Sequence, residues 1–278
     1  MTNQILLIDC PDRKGLVYNI TKQVYAKDLN IISNQEFVDA DSSHFFMRTA
    51  VEGNNLDDTF LQNLKDVLPG DANIRLTAIK RRPVVILATR EPHCPGDLLL
   101  RATYGELPCE VKAVVSNHHD LRPLADSFEI PFHHIPVSGL SRKDHEEQIS
   151  ECIAGYSPDF IVLAKYMRVF TPEFVARYPN RIINIHHSFL PAFVGASPYR
   201  QAFERGVKII GATSHFVTEN LDEGPIISQN VIPVNHAYTA EGMAQAGRDI
   251  EKNVLAAALK LVLEERVFIF RDKTIVFE

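Results

Sequence analysis

The chain has 278 residues, 45% of them hydrophobic, and its 29 Lys and Arg against 35 Asp and Glu give a formal net charge of −6. That length suffices for about two domains with separate cores, and the acidic balance offers no basic stripe along which nucleic-acid phosphates would gather. Its four cysteines, Cys10, Cys94, Cys109 and Cys152, form no CxxC pair, so neither a disulfide framework nor a zinc knuckle is indicated, and reduced thiols in the cytoplasm fit best.

The opening MTNQILLIDCPDRKG has no basic stretch followed by a long apolar run, so no signal peptide is expected. No window approaches the ~18 to 20 uninterrupted apolar residues that a membrane span requires. Residues 4–10 (QILLIDC) read as a strand, and residues 16–29 carry Val17, Ile20, Val24 and Leu29 near helical spacing. Asn30 to Asp39 and His44 to Val51 are strand-like, joined by the small and polar residues 40–43 that suit a hairpin turn. Leu56 to Leu68 reads as a helix before Pro69-Gly70, and Ile74 to Ile79 as a last strand. The order β-α-β-β-α-β predicts a split ferredoxin-like domain over residues 1–80.

The Lys80-Arg81-Arg82 cluster reads as a solvated linker. A second domain is expected over residues 81–278, because Pro83 to Thr89 (PVVILAT) is a near-continuous apolar run, as in a strand buried on both faces of a parallel sheet. Similar runs recur at Glu110 to Val115, Phe132 to Val137, Asp159 to Ala164 and Arg181 to Ile185, with helix-length segments between them. Repeated βα units of this kind predict a doubly wound, mostly parallel α/β sheet. Val207 to Phe216 and Pro225 to Val234 resemble strands, Ala240 to Glu264 has helical periodicity, and Val267 to Phe277 reads as a hairpin.

Within Arg181 to Pro191 (RIINIHHSFLP), Asn184 and His186 stand two residues apart in a strand, so both side chains leave the same face. At the carboxyl end of a strand in an open α/β sheet such a pair sits where these sheets bind ligands. An isolated Asn-x-His more commonly means a loop cap and a satisfied buried histidine. Likewise, Asp222 beside Gly224 and Pro225 is by itself an ordinary turn former. The two segments occur together, and Asn184-x-His186-x-Ser188-x-Leu190-Pro191, followed by His215-x-Val217-x-x-x-x-Asp222-x-Gly224-x-Ile226-Ile227, resembles the folate-dependent formyl-transfer family over roughly residues 83–265.

The resemblance implies that Asn184 hydrogen-bonds a formyl oxygen, that His186 handles protons at the reacting centre, and that Asp222 positions His186 and an attacking water. Each role has a physical basis: an amide donor stabilises the charge that develops on oxygen, imidazole suits proton transfer near neutral pH, and a carboxylate orients it. The segment Leu163 to Phe170 looks like the family's pterin-receiving stretch, with Met167, Arg168 and Val169 as folate contacts and Val217, Thr218 and Glu219 as further candidates. Lys165 and Arg168 are candidates for the glutamate tail.

Family members differ in the formyl acceptor. The first strand of this domain is followed by Thr89-Arg90-Glu91-Pro92-His93-Cys94-Pro95-Gly96, whose two prolines lack N–H donors and whose Glu91 repels phosphate. Water is therefore the expected acceptor. The N-terminal Cys10-Pro-Asp12-Arg-Lys-Gly15-Leu16 with Leu29-Asn30-Ile31 looks like an ACT domain, and the whole chain is similar to the formyltetrahydrofolate deformylases. That resemblance implies a hydrolase that converts 10-formyltetrahydrofolate to tetrahydrofolate and formate. Such an enzyme supplies formate for purine synthesis and balances one-carbon folate pools, without a cofactor or metal. It further implies homo-oligomers and an amino-acid effector held by Asp12, Gly15, Leu16, Asn30 and Ile31. A glycinamide ribonucleotide formyltransferase and a non-catalytic amino-acid sensor are the alternatives. The adjacent pairs His118-His119 and His133-His134 face opposite sides of their strands and are assigned no function.

Overall fold

In a computed structural model, residues 3–53, 56–192 and 198–278 are described. The chain divides into two compact units, Met1–Lys80 with Phe277–Glu278 and Arg81–Val276. The first is built from β1 (Asn3–Pro11), α1 (Leu16–Ala26), β2 (Asn30–Asp39), β3 (His44–Glu52), α2 (Asp58–Val67) and β4 (Asn73–Thr77). Its sheet has the order β2-β3-β1-β4 with every pair antiparallel, the split βαββαβ arrangement that the element order predicts. Alternation places Leu6, Ile8 and Cys10 of β1 on one face, where they pack on Leu16, Ile20 and Val24 of α1 and on Phe60 and Leu64 of α2. Each such side chain contributes about 1.5–3 kcal/mol when fully buried.

The first helix stops at Ala26, short of the expected residue 29. Asp28 turns the chain with a positive φ of 57°, and the Leu29 N–H bonds back to the Val24 carbonyl, closing the helix end. The second helix starts on Asp57, whose carboxylate accepts the Phe60 N–H at 2.8 Å.

The second unit contains β5 (Arg82–Ala88), α3 (His93–Thr103), β6 (Cys109–Ser116), α4 (Arg122–Ser127), β7 (Phe132–His134), α5 (Arg142–Ala154), β8 (Phe160–Leu163), α6 (Pro172–Ala176), β9 (Ile182–His186), α7 (Pro198–Arg205), β10 (Ile209–Phe216), β11 (Ile226–Pro233), α8 (Ala240–Leu263), β12 (Val267–Phe270) and β13 (Lys273–Val276). The main sheet runs β11-β10-β9-β8-β5-β6-β7. Strands β5 to β9 are parallel, whereas β10 and β11 are antiparallel to their neighbours. The apolar run of β5 is explained by burial on both faces. Val84, Ile86 and Ala88 join a core that includes Leu98 of α3 and Val254 of α8, while Val85 and Leu87 join one that includes Ile149 of α5 and Phe174 of α6. Strand β5 lies between β6 and β8, so the order reverses there; the carboxyl ends of β5 and β8 border the resulting crevice, and β9 lies next to β8.

The Lys80–Arg82 cluster differs from the expected solvated linker. The Arg81 guanidinium donates to the carbonyls of Cys109 and Ala102, and Arg82 opens β5 and pairs with Glu265 and Asp159. Two of the three charges thus anchor the start of the second unit.

Candidate active site

Asn184 and His186 project from the last residues of β9 into a cavity of about 320 Å³. Opposite them, β10 brings His215 into register with Asn184. The loop that follows β10 returns Asp222 to the same place, and two backbone features make that return possible. Asp222 itself has a φ of 57°, which an Asp tolerates better than most side chains. Gly224 passes so close to β10 that a Cβ there would lie 1.7 Å from the Phe216 carbonyl oxygen.

The carboxylate of Asp222 lies 3.2 Å from His186 Nδ1 and 3.7 Å from His215 Nε2. Burial would raise its pKa, but the two imidazoles outweigh burial and hold the carboxyl well below the ordinary carboxylate range. With Nδ1 of His186 donating to Asp222, Nε2 carries the lone pair, and this nitrogen is buried with no hydrogen-bond partner among the described residues. His215 Nδ1 lies 2.9 Å from the Phe216 carbonyl oxygen and its Nε2 lies 3.2 Å from the Asn184 amide nitrogen. One amide hydrogen of Asn184 is thereby engaged and the other is left for a ligand.

The same cavity is lined by Met167, Arg168, Val169, Val217, Thr218 and Glu219, so all six expected folate contacts meet Asn184, His186 and Asp222 at one place. Met167 and Val169 are large apolar side chains more than half exposed, as befits the open rim of a site. Lys165 departs from the tail-binding reading: it is buried, and its ammonium lies 3.2 Å from the Glu251 carboxylate. In the N-terminal unit, Asp12 and Asn30 are exposed, Gly15 precedes α1 with a φ of 91°, Leu16 is in the core and Ile31 packs against it.

Three comparisons bear on this geometry. Residues 82–259 match the family model described as formyl transferase. A formyltetrahydrofolate deformylase of Haemophilus influenzae is 56% identical over 98% of both chains. The chain belongs to the formyltetrahydrofolate deformylase family. Among solved structures, a formyltetrahydrofolate deformylase from Pseudomonas syringae superimposes with a TM-score of 0.94 and 40% identity, covering 100% of this chain and 95% of that one. Glycinamide ribonucleotide transformylase 1 from Symbiobacterium toebii reaches a TM-score of 0.69 at 30% identity and covers 74% of this chain and 98% of its own. The deformylase family thus shares the whole two-part architecture, and the transformylase shares part of it.

A second cluster lies beside the family motif. Glu251 of α8, fully buried, accepts hydrogen bonds from Tyr199 at 2.6 Å, His93 Nε2 at 2.7 Å and Lys165 at 3.3 Å. Burial would raise this carboxyl, but His93, Lys165 and Tyr199 hold it at about 2. His93, Cys94 and Glu251 bring ligand atoms within 4.8 Å of one another, a spacing that a metal ion could bridge. The Lys165 ammonium already supplies a cation to that carboxylate, and burial pushes the Cys94 thiol far above its ordinary value, away from the thiolate a metal binds. Of this cluster, pattern assigns a role only to Lys165, as a candidate for the glutamate tail, and none to His93, Cys94, Tyr199 or Glu251. An acid on the buried face of α8, one residue beyond Ile250, is the signal that marks it. His215 belonged to the motif but its contact with Asn184 depends on strand register.

Proposed function

We propose that this chain hydrolyses 10-formyltetrahydrofolate to tetrahydrofolate and formate, with Asn184, His186 and Asp222 as its catalytic residues. The observation that carries this reading is the unpartnered His186 Nε2 in the cavity, with Nδ1 on Asp222 and an Asn184 amide hydrogen available beside it. The folate lies along Met167, Arg168, Val169, Val217, Thr218 and Glu219. Asn184 donates to the formyl oxygen as negative charge builds there, an interaction stronger in the transition state than before it. His186 takes a proton from the attacking water at Nε2 and returns it to the folate nitrogen as the C–N bond breaks, while Asp222 stabilises the intervening imidazolium. Water becomes the hydroxyl of formic acid, which releases its proton to solvent.

Three further readings accompany this one. In the N-terminal unit, the exposed first turn of α1 next to Gly15 offers N–H donors to the carboxylate of an amino-acid effector, with Asp12 in the same connection and Leu16 contributing only its backbone, whereas Asn30 and Ile31 lie level with Asn3 and Gln4 at the opposite end of the sheet and fall outside such a site. The edge strand β2 carries exposed Ile32, Phe37 and Val38, which supports self-association. The cysteines are free among the described residues, which suits the cytoplasm. No described helix is long and apolar enough to cross a membrane.

The test is formate release by purified protein from 10-formyltetrahydrofolate, with and without glycinamide ribonucleotide. One formate per folate consumed without the ribonucleotide is expected. Turnover that requires it, yielding formylated ribonucleotide, would make the chain a transferase, and no turnover in either case would leave a sensor.

A further inference from the structure

A second cavity, of about 390 Å³, meets the catalytic cavity, and Lys165, Met167 and His187 line both. Its remaining wall includes Tyr199, Arg248 and Glu251. A water molecule occupies about 30 Å³ in the liquid, so a space of this size is far larger than the proposed nucleophile needs. Volumes of about 300 Å³ and above commonly hold small organic ligands. A primary amine entering from this side would compete with water for the formyl carbon, and amines are the better nucleophiles.

At the junction stands a buried charge that the hydrolytic mechanism does not use. Lys165 is 5% exposed, its backbone has a φ of 61°, and its ammonium lies 3.2–3.3 Å from both oxygens of Glu251. A left-handed lysine and a fully buried carboxylate are both costly, and such features persist where they serve a site. Glu251 is further fixed by Tyr199 and His93, so it can neither swing away nor offer its oxygens to another ammonium.

We propose that Lys165, held in place by Glu251, is a specificity-determining residue that closes the junction between the two cavities and reserves the formyl group for water. This inference rests on the hydrolytic reading of the first cavity. An approaching ammonium meets the Lys165 charge of like sign and finds the nearby carboxylate already satisfied, whereas uncharged water passes. If an amine reached the site as its neutral form, its nitrogen would bond to the formyl carbon, the bond from that carbon to the folate nitrogen would break, and one amine proton would end on the folate. The products would be an N-formyl amine and tetrahydrofolate, with no formate.

The probe is glycinamide, added to 10-formyltetrahydrofolate with the full-length protein, and the readout is the ratio of N-formylglycinamide to formate. Wild type yields formate alone. Lys165→Ala opens the junction and raises the ratio by about tenfold or more above the uncatalysed background, whereas Lys165→Arg, which keeps the cation, stays hydrolytic. Removing Lys165 alone strands the Glu251 charge, so Lys165→Ala/Glu251→Gln, which removes both charges, gives a second chance of a folded protein and the same rise is expected in it. A ratio unchanged from wild type in a folded variant lacking Lys165, or an equal gain in Lys165→Arg, would overturn the proposal. Absence of formate from wild type without glycinamide would instead overturn the hydrolytic reading itself.

Discussion

Asp222 shows how one carboxylate can orient an imidazole. Its contact with His186 Nδ1 leaves Nε2 as the acceptor that the proposed attack requires. Replacing Asp222 by Asn preserves size but removes the charge that stabilises the imidazolium, so kcat should fall by roughly 10²–10⁴-fold with the fold intact; near-normal kcat in a folded variant contradicts the assigned role. Asn184→Ala removes a donor to the developing oxyanion and should cost about 10²–10³ in kcat, with the KM for folate far less affected. The buried Glu251 makes a separate prediction about acid. Its folded pKa of about 2 lies below the ordinary 4.5, so its contribution is fully present above pH 4.5 and is lost as pH falls towards 2. His187 is held at about 4, below its ordinary 6.5, chiefly by burial and then by Lys165, so it too withdraws stability as pH falls from 6.5 through 4. Urea midpoints should therefore drop in acid, and Glu251→Gln should be less stable at neutral pH but show a shallower drop between about pH 5 and 3. Asn184, His186 and Asp222 were legible because a motif with fixed spacing carries them. Lys165 and Glu251 were not, because 86 positions separate them and only packing of α8 against the sheet reveals the pair.

At the scale of elements, apolar runs and their period located the strands, since β5 is buried on both faces and β1 alternates. Ends were less legible, as α1 shows, because a left-handed Asp28 rather than any apolar residue terminates it. The turn after β10 illustrates how an element positions chemistry. Gly224→Ala would drive a methyl group into the Phe216 carbonyl, forcing the turn outward and Asp222 away from His186. A displacement on the order of 1 Å at such a site can cost about 10²-fold in rate, so this variant should lose kcat while keeping most of its thermal stability; unchanged kcat would show that the loop does not need its tight approach. On α8, Thr239 accepts the Gly242 N–H at 3.0 Å, and Thr239→Ala should lower stability by about 1 kcal/mol, measured by urea unfolding.

For the whole molecule, the division into two units and the mostly parallel second sheet follow from composition and element order, because alternating βα units with doubly buried strands have few other ways to pack. What the molecule does was legible only through residues that the fold gathers from β8, β9, β10 and the loops behind them, and the choice of water over another acceptor is its central feature. That choice is tested most directly by incubating the wild-type protein with 10-formyltetrahydrofolate in ¹⁸O-labelled water and weighing the formate by mass spectrometry. Hydrolysis at Asn184, His186 and Asp222 predicts one labelled oxygen in each formate, released in step with tetrahydrofolate. Tetrahydrofolate appearing without labelled formate, or no turnover at all, would contradict it.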